Sequence, residues 1–221
     1  MSPADGDLAA WLKGRLADPL GLTQAIVSLS ENWSSEANEH RLAIRTAVAE
    51  ALRSSNSKTS TQNEKDLDGL SDLSKIPRLL GHALSISHCP DLGGFVLVKN
   101  FEGTIGFDAE ISSRITVPVA TRVLPHASEA FLRERLQDDD TATPATSVAT
   151  SIWTAKESAI KCFGNAFADR TLNYTNVELI SLSCDPRLGF TFTARFENHS
   201  ARGILASNLH RSFALAVRNS S

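Results

Sequence analysis

Residues 83–111 read ALSISHCPDLGGFVLVKNFEGTIGFDAEI. The stretch holds three short apolar runs with strand character, Ala83–His88, Phe95–Lys99 and Thr104–Ile111, the first two separated by the turn-prone CPDLGG. Three strands in close succession predict antiparallel pairing. In the third run Ile105, Phe107 and Ile111 fall on one face of the strand and Asp108 and Glu110 on the other. The apolar face pins the register and commits both acids to one side, about 6–7 Å apart along the backbone.

Working outward, the stretch Glu36 to Leu52 spaces Leu42, Ile44, Val48, Ala51 and Leu52 at helical intervals, predicting a helix. Ser54 to Lys75 is so poor in bulky apolar groups that it repays little ordering entropy, and it reads as a polar surface loop. Helical pattern returns from about Ala127 to Leu136 and breaks at QDDDTATPATS, whose acidic run Asp138–Asp140 reads as a solvated loop. A further helix is predicted over Ala145 to Phe163, with Thr143 as N-cap and Pro144 as first helical residue. The C-terminus alternates as a meander through Val177–Cys184, Phe190–Glu197, Ile204–Ser207 and Phe213–Val217.

The order helix, loop, strands therefore occurs about twice, before and after residue 103. The expectation is an α+β chain of two similar halves, 1–102 and 103–221, each an antiparallel sheet packed with helices. No sequence identity between the halves supports a repeat. With 221 residues, about one and a half times a ~150-residue domain, length alone leaves one or two domains open.

The balance of 22 Lys+Arg against 25 Asp+Glu, a net charge of −3, lacks the basic excess that holds a protein on nucleic acid, although a local cationic pocket remains compatible with it. Three cysteines, Cys89, Cys162 and Cys184, form no C-x-x-C pair and are odd in number, which argues for a reducing compartment. The N-terminal stretch has acidic residues early and no uninterrupted apolar core, and no segment approaches ~18 consecutive apolar residues. The expectation is a cytoplasmic protein without membrane contact.

Chemistry is expected in three places. Asp108 and Glu110 bring two carboxylates to one spot, although D-x-E alone is more often an exposed strand face. Within SIWTAKESAIKCFG, Trp153, Glu157 and Lys161 are spaced by four and share one helical face; alone, the last two are more often a surface ion pair. A third carboxylate near the first two would suit Mg²⁺, a hard cation that takes oxygen ligands, with a lysine one turn away to meet phosphate charge. His88 ends a strand where a glycine-containing loop begins, and a structural role is as good a reading for it. About 20 Å of strand separates it from His82, so the two cannot share a metal. There is no G-x-S-x-G elbow, G-x-x-x-x-G-K-[ST] loop, G-x-G-x-x-G fingerprint or H-E-x-x-H.

Together, Ser85-Ile86-Ser87-His88, Gly106-Phe107-Asp108-Ala109-Glu110 and Trp153-Thr154-Ala155-Lys156-Glu157-Ser158-Ala159-Ile160-Lys161 resemble, in order and spacing, the S-x-S-H, G-[VIF]-D-x-E and W-x-x-K-E-x-x-x-K motifs of the 4'-phosphopantetheinyl transferases. The matched region covers roughly residues 80 to 165. The resemblance implies transfer of the phosphopantetheine arm of coenzyme A to a serine of an acyl or peptidyl carrier protein, with release of adenosine 3',5'-bisphosphate. It implies that Asp108, Glu110 and Glu157 hold Mg²⁺ on the coenzyme A pyrophosphate, that Glu157 is the base, directly or through water, that Lys161 balances charge on the leaving group, and that His88 contacts a coenzyme A phosphate. Lys156, elsewhere on the helix, would meet nucleotide phosphate or solvent. Arg41 and Arg45, four apart on the early helix, would reach the 3'-phosphate or stand solvated.

The size implies the larger, monomeric Sfp-type class, two α+β halves packed as a pseudo-dimer with the ligand between them and the N-terminal half contacting coenzyme A. Phe107 stands where Ile or Val is usual, and Cys89 replaces the common serine after His88, removing a hydroxyl contact. The carrier, whether of fatty-acid, polyketide, peptide-synthetase or lysine biosynthesis, stays open. The alternatives are a non-catalytic coenzyme A or carrier-protein binder of the same fold, and an unrelated Mg²⁺-dependent nucleotide enzyme.

Overall fold

A computed structural model describes residues 5–30, 37–55, 78–79, 81–112, 114–137, 145–185, 189–207 and 210–220. The expected polar loop lies almost wholly outside these residues, as do Thr143, Pro144 and Asp138–Asp140.

Helix α1 (Asp5–Leu12) leads through two short helical turns to β1 (Ala25–Ser30), then α2 (Ala37–Ser55), β2 (Arg78–Leu79), β3 (His82–Cys89) and β4 (Leu92–Lys99). These four strands form an antiparallel sheet in the order β1-β4-β3-β2. Then follow β5 (Thr104–Ile111), α3 (Val117–Arg122), a 3₁₀ turn Ala127–Glu129, α4 (Ala130–Gln137) and α5 (Ala145–Ala166). The strands β6 (Glu178–Asp185), β7 (Gly189–Phe196), β8 (His199–Ser207) and β9 (Arg211–Arg218) complete a five-stranded antiparallel sheet in the order β5-β9-β8-β7-β6. Each sheet places its first strand at one edge, pairs it with its last, and runs backward from there. The fold is α+β with two halves, each an antiparallel sheet packed with helices.

Three apolar clusters give the layering. Ile44, Val48 and Leu52 of α2 pack on Leu84, Phe95 and Leu97 of the first sheet. The other face of that sheet (Val96, Val98) meets Phe107, Phe213 and Leu215 of the second, and Leu8, Leu12 and Leu16 fill the space they share. On its remaining face, Phe192, Ala214 and Ala216 of the second sheet pack against Ile152, Ala155 and Phe163 of α5. Among the described residues no helix is long and apolar enough to cross a membrane.

The β3–β4 connection is tighter than CPDLGG suggests. Cys89 pairs with Leu92, so the turn is only Pro90–Asp91, with Asp91 at φ 63°. Gly93 and Gly94 lie inside β4, and a Cβ on Gly94 would stand 2.3 Å from the carbonyl of Ser28 on β1. That glycine serves close strand approach rather than turning.

The halves meet where β3 runs beside β5, and serine hydroxyls bridge them. Ser85 Oγ accepts from Phe107 N at 2.8 Å and Ser87 Oγ from Ala109 N at 3.1 Å. The S-x-S spacing thus has a structural role: alternate residues of β3 offer acceptors to alternate amides of β5. Asn165 of α5 ties into the same seam, its Nδ2 donating to Ile105 O at 2.9 Å.

Gly106 lets α5 lie directly on β5. A Cβ there would fall 1.9 Å from Ser158 O and 2.4 Å from Cys162 N, both backbone atoms of the helix. Gly106→Ala is expected to push α5 off β5, cost about 3 kcal/mol and lower Tm by roughly 5–10 °C. Gly164→Ala, whose Cβ would meet only Leu172 Cδ1 at 3.8 Å, is expected to raise stability by about 0.5–1 kcal/mol. Thermal melts of the two single variants, shifting in opposite directions, check this.

Candidate active site

Two elements build the site: β5, with Gly106, Asp108 and Glu110 on the face toward α5, and α5, with Trp153, Glu157 and Lys161 one turn apart. Because Gly106 admits the helix so closely, charged groups two residues along the strand stand against charged groups on the helix. Lys161 Nζ donates to Asp108 Oδ1 at 2.7 Å, to Ser87 Oγ at 3.1 Å and to Phe107 O at 3.2 Å. Ser87 Oγ also donates to Asp108 Oδ1 at 2.7 Å. One carboxylate oxygen is thereby fixed by two donors, while Asp108 Oδ2, buried, has no hydrogen-bond partner among the described residues. A buried anionic oxygen without a donor is costly, and a cation satisfies it.

Glu110 accepts from Arg114 Nη1 at 2.8 Å through Oε1 and at 3.1 Å through Oε2, and Oε1 also accepts from Ile111 N at 2.9 Å. Behind it lies Cys89. Burial first, and the hydrogen-bonded Glu110 carboxylate second, push the Cys89 thiol up to about 12. The thiol therefore stays protonated and is a donor to Glu110 from the position where the resemblance expects a serine.

Glu157 accepts a hydrogen bond from Tyr174, whose ring lies against Trp153. Burial raises its carboxyl above the usual range; the Tyr174 bond and Lys161 oppose that, while the charges of Asp108 and Glu110 add to it. Three carboxylates thus feel one another across the strand–helix interface.

An all-oxygen donor set with one orphaned, buried carboxylate oxygen fits a hard divalent cation such as Mg²⁺. Among the described residues no group of three or more His, Cys, Asp or Glu is already gathered at metal-holding distance. The fit therefore lies in donor chemistry and in the open Oδ2, not in a closed cage.

Of the other expected residues, His88 is exposed on β3, on the strand face opposite Ser87. Arg45 is half-buried on α2, the helix that covers the first sheet. The backbone of Arg41 belongs to the same helix, and its side chain lies outside the described residues. The expectation for Lys156 is corrected. It is fully buried and ion-paired with Glu129, also fully buried, so its ammonium meets neither solvent nor a nucleotide phosphate. Burial pulls that ammonium below its ordinary range, and Glu129 opposes the shift. Glu129 Oε1 also accepts from Leu179 N at 2.9 Å, and Oε2 from His126 N at 3.2 Å, so the pair locks α5 to the 3₁₀ turn and β6.

Residues 104–217, a little over half of the chain, match the family model described as the 4'-phosphopantetheinyl transferase superfamily. That span contains Asp108, Glu110, Glu157 and Lys161. No curated protein matches the chain.

Proposed function

Because the chain belongs to the 4'-phosphopantetheinyl transferase superfamily, we propose that it is a monomeric Sfp-type enzyme that moves the phosphopantetheine arm of coenzyme A to a serine of an acyl or peptidyl carrier protein. The observation that supports this most strongly is the orphaned Asp108 Oδ2, set beside Lys161 and faced by Glu157 across the strand–helix contact. A non-catalytic binder of the same fold has no need of that arrangement. The recurring strand order of the two sheets supports a site built within one chain. On this reading residues 1–102 contribute His88, Arg41 and Arg45 to coenzyme A, and residues 103–221 carry the reacting groups.

In the reaction, the carrier serine oxygen forms a bond to the β-phosphorus of coenzyme A, and the bond from that phosphorus to the bridging oxygen breaks. Adenosine 3',5'-bisphosphate leaves with the electron pair. Glu157 takes the serine proton, directly or through water; burial that raises its carboxyl makes it a stronger base than an exposed glutamate. Lys161, partly exposed, supplies positive charge beside the leaving group. Asp108, Glu110 and Glu157 would hold Mg²⁺, which supplies charge neutralisation on the pyrophosphate oxygens.

The test is to incubate the protein with coenzyme A and apo-carrier and follow adenosine 3',5'-bisphosphate by chromatography, with Mg²⁺ and with excess chelator. Release is expected with Mg²⁺ and not with chelator. Undiminished release under chelator would overturn the metal assignment.

A further inference from the structure

Tyr174 is the only tyrosine in the chain and stands outside every motif described above. It lies in the connection between α5 and β6, within a turn that two asparagines close. Asn173 Oδ1 accepts from Thr175 N at 2.8 Å and from Thr175 Oγ1 at 2.6 Å. Asn176 Oδ1 accepts from Asn173 N at 2.9 Å, and its Nδ2 donates to Thr171 O at 2.8 Å. Asparagine side chains that bond local backbone in this way hold a turn in one shape, so residue 174 is presented in a fixed direction.

That direction is back toward α5. The Tyr174 hydroxyl donates to Glu157 Oε1. Its ring lies 5.3 Å from the Trp153 ring, centroid to centroid, at an interplanar angle of 38°. Trp153 is one helical turn before Glu157, so one face of α5 supplies both the ring contact and the acceptor. Ring packing alone would be met by a phenylalanine. The hydroxyl aimed at one oxygen of a carboxylate is what packing does not require.

We propose that Tyr174 is a positioning residue for Glu157, its hydroxyl fixing the rotation of the carboxyl group through Oε1 so that Oε2 is aimed for its metal-holding and proton-taking roles, with Trp153 holding the phenol in place. This rests on the transferase reading. A carboxyl group otherwise rotates about its last bond, and a charge-assisted hydrogen bond to one oxygen restricts that motion before substrate arrives. The motif tryptophan thereby acts on Glu157 indirectly, through Tyr174.

The experiment is steady-state kinetics of wild type and Tyr174→Phe with coenzyme A and carrier each varied, beside thermal melts and calorimetric coenzyme A binding. Loss of one hydrogen bond to a charged group is expected to lower kcat roughly tenfold or more. KM for both substrates, coenzyme A affinity and Tm are expected to stay at wild-type values. Trp153→Phe is expected to lower kcat alone but to add little on top of Tyr174→Phe, because both act through the same hydroxyl. A Tyr174→Phe variant with wild-type kcat would overturn the proposal. So would a fall in kcat that tracks a fall in Tm, which is the mark of packing alone. A wild-type protein with no transfer at all would overturn the transferase reading, and this proposal with it.

Discussion

Glu157→Gln is expected to abolish phosphopantetheine transfer, lowering kcat by roughly 10²–10⁴-fold, while the protein keeps its fold and its metal-free affinity for coenzyme A. Glutamine has the shape of glutamate and keeps an oxygen for Tyr174, but it cannot take a proton and is a poor ligand for a hard cation. Stability should not fall. Burial raises the Glu157 carboxyl above its ordinary range, so in the folded state the charged form is disfavoured relative to the unfolded chain. Replacing it with a neutral isostere removes that penalty, and Tm should be unchanged or higher. Activity lost without stability lost separates a reacting group from a folding one. A variant that transfers at more than a tenth of the wild-type rate would contradict the assignment.

The second large effect is expected at the buried pair Lys156–Glu129. Glu129→Leu strands a buried ammonium and leaves the amides of His126 and Leu179 without the acceptor they now use. Breaking a buried pair from one side costs about 3–5 kcal/mol, so unfolding in urea should shift by that amount and Tm by on the order of 10 °C. Lys156→Met should cost less, because Glu129 keeps its two backbone donors. The double variant, with neither charge, should recover more than half of the Glu129→Leu loss, and the coupling in that cycle measures the pair. Additive losses would show that the two groups act independently. Because the pair locks α5 to β6 and the 3₁₀ turn, transfer activity should fall in the single variants too.

This pair also marks what the sequence could and could not convey. The strands at Ala83–His88 and Thr104–Ile111 and the helix from Ala145 are legible because alternation and helical spacing leave few alternatives over such lengths. Asp108, Glu110, Glu157 and Lys161 are legible as a group through their resemblance to the family's motifs, since a shared face of a regular element by itself leaves each pair readable as surface charge. Lys156 is not, since a lysine on a helix next to a glutamate reads as solvated unless its burial is known. Its partner sits twenty-seven residues away in a separate helical stretch, and helical pattern alone does not say that the two side chains meet.

Helix α1 and the helical turn after it carry a signal that the expectations leave unused, for Leu8, Leu12 and Leu16 recur every four residues and are all buried. Strand β1 is six residues long and half-buried over most of its length, too weak a pattern to stand out. Gly93 and Gly94 mislead in the other direction, since paired glycines signal a turn unless a neighbouring strand is known to approach. Tyr174 gives no signal, because its role depends on a turn and a helix meeting in space.

The site reading predicts one result above others. Intact-mass measurement of an apo-carrier protein after incubation with this protein, coenzyme A and Mg²⁺ should reveal the mass of one phosphopantetheine arm added to the carrier, and no addition when its acceptor serine is replaced by alanine. No gain of that mass on any acyl or peptidyl carrier, with coenzyme A and Mg²⁺ present, would contradict the account.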